Sequence, residues 1–238
     1  KPFTLDRASA QAAADAAETA GVVLALGHNR RFHPAMVRMK EMIQSGELGQ
    51  ILHVEGNLSS PSAMRFAADG WRAQADESPA GGMTGMGIHV VDAMINLLGP
   101  IDEVIARSYR NFLKIDVDDT TATLFRFASG AMGYLGTFTA TAPLWRIQVF
   151  GTGGWAEMHN YDRLTVRKVS ADAVPGPEEV TEYGAFDMER AELEAFADAC
   201  TGKAAYPLPP AEAVHGTAVL EAVIRGAASG QPVSLKDV

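Results

Sequence analysis

Residues 120–139 read TTATLFRF, then ASG, then AMGYLGTFT. The runs Thr120–Phe127 and Met132–Thr139 are rich in β-branched and aromatic residues, which fit a pleated, half-buried surface. Ala128-Ser129-Gly130 between them has the composition of a hairpin turn. The pattern extends in both directions. Val104–Tyr109 precedes it, and Arg146–Phe150, Trp155–His159 and Leu164–Val169 follow, all short and separated by turns. Runs of this kind at close spacing predict a mainly antiparallel sheet.

Upstream the pattern is helical. Leu5–Ala20 is rich in alanine, the best helix former. Thr4 is its expected N-cap, with Asp6 in the first turn, and Gly21 suits the left-handed closing position. Val22–Leu26 is apolar at every position, which predicts a strand buried on both faces, as in a parallel sheet. Pro34 opens a second helix, to about Ser45. Gln50–Leu58 reads as a strand, residues 59–82 as a long loop, and Gly87–Leu98 as a helix stopped by Gly99-Pro100. Beyond the strand runs, residues 170–186 read as a Pro- and acid-rich surface connection, followed by helices Asp187–Thr201 and Pro210–Ser229. The expected class is α+β: a large mixed, mainly antiparallel sheet with helices on one face, preceded by one helix and one strand of βα type.

Composition narrows the function. The 238 residues carry 20 Lys+Arg against 29 Asp+Glu, a formal charge of −9. That balance argues against a nucleic-acid partner, which needs a basic face. With 47% hydrophobic and 21% charged residues the chain has ordinary globular composition. No apolar run approaches the roughly 18 residues of a membrane span. Cys200, the single cysteine, allows no intrachain disulfide and no Cys-based zinc site, which predicts a reducing compartment, the cytoplasm. Its amphipathic surroundings predict a core position. The start at Lys1-Pro2, without an initiator methionine or a signal segment, reads as the remainder of a longer protein.

Three segments carry donors or acids in suggestive places. In Gly81-Gly82-Met83-Thr84-Gly85-Met86-Gly87-Ile88-His89-Val90-Val91-Asp92 the glycines permit close backbone approach to a ligand. His89 falls in the first helical turn, and Asp92 lies three residues on, on the same face. A carboxylate so placed can hold an imidazole in one tautomer and raise its basicity. The plainer alternative is a glycine-rich helix cap with a buried, hydrogen-bonded histidine. Lys1-Pro2 stands ahead of a helix, and His28-Asn29-Arg30-Arg31-Phe32-His33-Pro34 follows the apolar run, at the strand end where α/β proteins bind ligands. The plainer alternatives are a terminus and a polar linker.

Gly151-Thr152-Gly153-Gly154-Trp155-Ala156 matches G-x-G-x-x-G/A, but Glu157–Val169 then alternates like a strand. Without a helix N-terminus it is a hairpin turn and not a dinucleotide fingerprint. His53, His159 and His215 read as structural. No metal-ligand spacing, nucleophile elbow or P-loop appears, so no metal is expected.

Taken together, the segments resemble the glucose-fructose oxidoreductase / inositol dehydrogenase / rhizopine catabolism family, Gfo/Idh/MocA. Lys1-Pro2 looks like the end of its Glu-Lys-Pro motif, and Gly27–Phe32 like its Gly-Tyr-Asn-Arg-Arg-Phe junction segment. Trp71-Arg72, Gly81-Gly82 and Gly87–Asp92 look like its substrate-side signature; Ser45–Gly49 and Ala227–Val233 also fit. The resemblance covers essentially the whole chain. It implies residues 1–28 as the C-terminal remnant of a Rossmann dinucleotide-binding domain, and residues 29–238 as the substrate-binding and oligomerisation domain.

The resemblance also implies a chemistry: hydride transfer between NAD or NADP and a CH–OH carbon of a sugar, cyclitol or similar small polar substrate. Lys1 would stabilise the alkoxide and His89 would act as general acid/base. Asp92, Trp71, Arg72 and Asn29 would support the substrate; Lys1, Pro2, Arg31 and Arg72 would face the cofactor. The Lys1-Pro2 bond is expected cis, and the open sheet face is expected to form a homodimer or homotetramer. One position departs from the pattern: relatives with the full set carry Asp four residues before the histidine, where this chain has Gly85. That departure keeps an alternative open, a non-catalytic member acting as ligand sensor or regulatory protein.

Overall fold

A computed structural model describes residues 1–238. The chain begins with α1 (Arg7–Ala20) and α2 (Pro34–Gln44), then β1 (Ile51–Ser59) and α3 (Ile88–Leu98). Seven strands follow: β2 (Ile101–Tyr109), β3 (Thr120–Phe127), β4 (Met132–Phe138), β5 (Leu144–Gly151), β6 (Gly154–His159), β7 (Arg163–Val169) and β8 (Pro175–Glu182). α4 (Met188–Cys200), α5 (Pro210–Ser229) and a short β9 (Val233–Ser234) close it.

All nine strands form one sheet in the order β8-β7-β6-β5-β1-β4-β3-β2-β9. The β1–β4 pair is parallel and every other pair antiparallel, so the sheet is mixed and mainly antiparallel as expected. The hairpin at Ala128–Gly130 joins β3 to β4, and the glycine-rich turn after Gly151 joins β5 to β6.

Alternation along the strands decides the layers. Val54, Phe125, Phe127, Leu135, Ile147 and Val149 are buried on one face, against Met36 and Met39 of α2, Val90 and Met94 of α3, and Val219 and Val223 of α5. Gly56 sets the closest approach: a Cβ there would lie 2.5 Å from Val90 Cγ1. That lack of a side chain seats α3 directly on β1 and so places the start of α3 at the sheet's end. On the opposite face Ile105, Leu124 and Tyr134 stand in register across β2, β3 and β4, with Ile105 and Leu124 exposed. No helix is long and apolar enough to cross a membrane.

Several expectations are corrected. Asp6, not Thr4, caps α1: its carboxylate accepts from Ser9 N at 2.7 Å, and the Thr4 hydroxyl donates to Asp6 O. Gly21 closes the helix at φ 64°, as expected. Val22–Leu26 forms no regular secondary structure and pairs with no strand of the sheet, and Val22 is 61% exposed. An apolar run needs a neighbouring backbone to become a strand; here Leu24 packs on Ala10, Ala14 and Val214, in a small cluster separate from the main core. Residues 170–186 are not all connection. They contain β8, an edge strand whose acids and prolines leave it largely exposed, which is how edges avoid further pairing. Cys200 is exposed rather than core, because α4 has no fully buried residue.

Candidate active site

The long loop 60–82 carries two short 3-10 turns, Ser62–Arg65 and Trp71–Ala73, and passes through a π-helical turn, Met83–Gly87, into α3. Gly81 adopts φ 54°, and any Cβ there would strike the Asp118 carbonyl. Gly82 sits against Thr137 and Thr139 of the β4 end. The glycines thus press the loop onto the sheet.

This loop forms one wall of a cavity of about 280 Å³. Lys1, Pro2, Trp71, Arg72, Gly81, Gly82, Thr84, Gly85, Met86 and Thr139 are among its lining. The Arg72 guanidinium lies 4.2 Å from the Trp71 ring centroid, a cation–π stack that makes one firm plane of the two. The Lys1-Pro2 peptide is cis, as the resemblance implies. No heavy atom lies within 4 Å of where a Cβ of Gly85 would stand, so this position is open space at the mouth of α3.

The remaining candidates gather in a second cluster. His89 does not line the cavity; it stands in the first turn of α3, in edge-to-face contact with His28 at 5.4 Å between centroids. Asp92 does not orient His89, which corrects the spacing argument. Its carboxylate instead takes Arg31: Arg31 Nε donates to both oxygens at 3.0 Å and Nη2 to Oδ1 at 2.7 Å. Arg31 Nη1 donates to Glu212 Oε2 at 2.8 Å and to the Pro207 carbonyl at 3.3 Å. With its side chain buried and all three of its nitrogens hydrogen-bonded, Arg31 is a brace and not a free wall for a cofactor. Asn29 donates to Glu189 Oε1 and so ties this segment to α4. Arg30 lies over the stacked Trp145 and Tyr161 rings.

Burial governs the charges here. Burial pushes His89 down to about 2, with the Arg30, His28 and Lys1 charges adding to the effect. His28 is pushed down to about 3 by burial, then by Arg31 and Lys1. Burial raises the Asp92 carboxyl, opposed by the Arg31 hydrogen bonds. For Arg31 itself burial opposes the charge, but Asp92 and Glu212 outweigh it and its pKa rises.

An acid-stability prediction follows. The unfolded chain protonates these two histidines near 6.5, whereas the native state resists until about 3 and 2. Their contribution is complete above pH 6.5 and is lost as pH falls. The decline is expected to reach about 1.4 kcal/mol per pH unit per histidine. His33 and His215, also lowered by burial, act in the same direction. Urea midpoints between about pH 8 and 5, above most carboxylate titrations, measure the slope. A flat midpoint would mean that both imidazoles are solvated.

Sequence reasoning missed Glu212, Tyr161 and the particular role of His28. Glu212 lies 181 positions from Arg31, and no local signal links them. His28 was inside a quoted donor run, but its contact with His89 depends on how α3 seats against that segment.

The GFO/IDH/MocA C-terminal domain model matches residues 36–157, and the chain belongs to this family. It is similar to the uncharacterized oxidoreductase YhhX of Escherichia coli, 34% identical over 126 residues, which take in 50% of this chain and 33% of that protein. It is 27% identical to D-xylose 1-dehydrogenase (NADP(+)) 2 of Haloferax volcanii over 99% of this chain and 71% of that one. In structure it resembles levoglucosan dehydrogenase, solved with NADH and L-sorbose: TM-score 0.86, 22% identity, 100% of this chain and 72% of that one.

Proposed function

We propose that this chain forms the substrate half of a nicotinamide-dependent oxidoreductase acting on the CH–OH group of a sugar, cyclitol or similar polyhydroxy compound. The observation that carries this reading is the cavity itself, which brings Lys1-Pro2 opposite the Gly81–Met86 turn, with Trp71-Arg72 as a flat wall. A nicotinamide ring, when bound, supplies or accepts the hydride. The lining fits the ring end of such a cofactor: planar Trp71 and Phe66, and the Lys1 and Arg72 donors. Its pyrophosphate is a different matter, since Gly151–Ala156 is a hairpin turn and not a helix start. That end belongs, in this reading, to a Rossmann domain of which residues 1–28 are the last part; Ala10, Ala14 and Leu24 of this part pack on Val214 of α5, apart from the main core.

Within the site, Lys1 holds the substrate oxygen and stabilises it as an alkoxide. His89, three residues past Met86 of the lining and in the first turn of α3, receives or returns the hydroxyl proton of a substrate that extends beyond the cavity at its Met86 end. Trp71 and Arg72 orient the ring, and Asp92 and Asn29 act at a distance, by fixing Arg31 and α4. The names of the Haloferax and levoglucosan relatives support the substrate class. NAD and NADP are both open to it. The exposed apolar row Ile105–Leu124 of the open sheet face is the surface through which we expect two or four copies to assemble. Cys200, an exposed thiol without a disulfide partner, supports a cytoplasmic setting.

The test is turnover by the full-length gene product with NAD and NADP, using D-xylose, levoglucosan and myo-inositol as probes. Reduced nicotinamide should accumulate with at least one. Gly85 favours a second reading, a ligand sensor without chemistry. In that case the probes bind without turnover. Gly85→Asp, for which the space is open, then raises turnover if only the missing carboxylate was limiting.

A further inference from the structure

The candidate cavity continues past one of its walls. Ala63 and Phe66, which line it, also line an adjoining groove of about 530 Å³. The rest of the groove is Met64 from the same loop and Asn111–Ile115 from the connection between β2 and β3. Its lining is mostly apolar, and neither Lys1 nor Pro2 belongs to it. Phe112 is 62% exposed there and Met64 51%. Single exposed apolar side chains are ordinary, but several gathered on one concave surface mark a binding site.

Backbone hydrogen bonds fix both walls. Ser60 N donates to Phe138 O at 2.9 Å and Ala63 N to Thr139 O at 3.3 Å, which ties the first wall to the end of β4. The second wall closes on a buried carboxylate. Asp119 Oδ2 accepts from the N–H groups of Asn111, Phe112 and Leu113 at 3.0, 2.7 and 3.0 Å. Burial opposes its charge, but these bonds and the one from the Thr120 hydroxyl outweigh it, and the carboxyl lies below its ordinary range. Arg110 adds a strut, its Nη1 donating to Ile115 O at 3.0 Å. A groove held open in this way spares a ligand the cost of ordering a loop.

We propose that this groove is a second subsite of the same active site, and that it takes an apolar substituent, aryl or short alkyl, carried on the polyhydroxy ring that the cavity holds. The inference rests on the oxidoreductase reading above and narrows its substrate class.

The two linings differ in chemistry as the two parts of such a ligand do. The cavity offers Lys1, Arg72 and Glu77 to hydroxyl groups. The polar side chains of the groove are Asn111 and Lys114, both exposed, and the remainder is carbon and sulfur. Size agrees. At about 280 Å³ the cavity alone falls just short of the usual ligand pocket, about 300–1,000 Å³, and the groove brings it into the upper part of that range. A substituent that leaves the ring across Ala63 and Phe66 enters the groove without passing Lys1. The carbon that bears it has no free hydroxyl, so the carbinol that is oxidised is another one of the same ring.

The test uses the full-length protein with NAD or NADP added, and probes paired on one sugar: phenyl and methyl β-D-xylopyranoside, and phenyl and methyl β-D-glucopyranoside. By calorimetry the phenyl member of a pair should bind about 10–100-fold more tightly, the effect of taking one phenyl-sized apolar group out of water. Phe112→Ser and Met64→Ser, both at exposed positions, should bring that ratio toward one. The ¹³C-labelled methyl of Met64 should shift with the phenyl glycoside and not with the methyl one. Equal affinity within a pair, or a loss in the variants that both members share, overturns the proposal. If no glycoside binds, the polyhydroxy-substrate reading fails for these sugars and phenol alone decides the groove. A Met64 shift that Phe112→Ser abolishes keeps the apolar subsite; no shift overturns it. A Met64 signal that follows protein concentration and not the phenyl group also overturns it, and makes a second copy of the chain the occupant.

Discussion

Asp92→Ala is expected to lower folding stability by about 3–5 kcal/mol, the usual effect of removing one member of a buried ion pair. Asp92 is 5% exposed and Arg31 7%. Removing the carboxylate strands a guanidinium that cannot be deprotonated at working pH, and its desolvation cost is no longer offset. Glu212 and the Pro207 carbonyl remain as partners, which puts the expectation at the lower end of that range. The informative contrast is the double variant Arg31→Met with Asp92→Leu. Apolar replacement of a whole buried pair is often neutral or stabilising, so most of the loss should be recovered. Urea denaturation of the single and double variants measures both. A loss below about 1 kcal/mol in Asp92→Ala, in the range of exposed pairs, would mean that water reaches this cluster and that it does not brace the site. The prediction also bears on His28, whose Nδ1 faces the same carboxylate.

His89→Ala in the full-length protein is expected to lower kcat/KM by about 10²–10⁴, the usual contribution of a positioned general acid/base. Fold stability should change little or improve, because the substitution removes an imidazole whose Nδ1 is buried without a partner. That combination, lost turnover on an intact fold, separates a chemical role from a packing one. The depressed pKa of His89 sharpens the expectation. A neutral imidazole at working pH is ready to accept a proton but holds it weakly, so under the proposed function the alkoxide must be stabilised elsewhere, the role proposed for Lys1, which lines the cavity. Retention of wild-type turnover in His89→Ala would remove the acid/base assignment from His89 and leave the oxidoreductase reading standing; binding of the probes without turnover by the wild type is the result that favours the ligand-sensor reading.

Much of the sheet was readable in the linear pattern. Thr120–Phe127 matches β3 to the residue, and the neighbouring runs match β2 and β4–β7 within a few positions. Strands of this kind alternate with period two, and one buried face makes that alternation sharp. β8 escaped because Pro175–Glu182 has edge composition, which disguises a strand by design of its exposure. The two-residue β9 carries too little sequence to announce itself. Val22–Leu26 erred the other way: its apolar residues satisfied the pattern for a buried strand, yet strand pairing is a property of two segments and this one has no partner within the chain.

The candidate site divides along the same line. Local sequence was sufficient for the Gly81–Asp92 segment, the Trp71-Arg72 pair and the placement of His89 at a helix start, because glycine freedom and helical spacing act over a few residues. Which side chains meet was decided by tertiary packing. Spacing pointed Asp92 at His89, but a buried carboxylate goes to the strongest charge within reach, and the fold brings Arg31 there from 61 positions away and Glu212 to Arg31 from 181. Gly56 seats α3 on β1, and with it the His89–His28 contact. Family, sheet and loop chemistry were thus written in short-range pattern. The pairing of buried charges came only from the packed chain, since desolvation makes each such group take whichever partner the fold delivers.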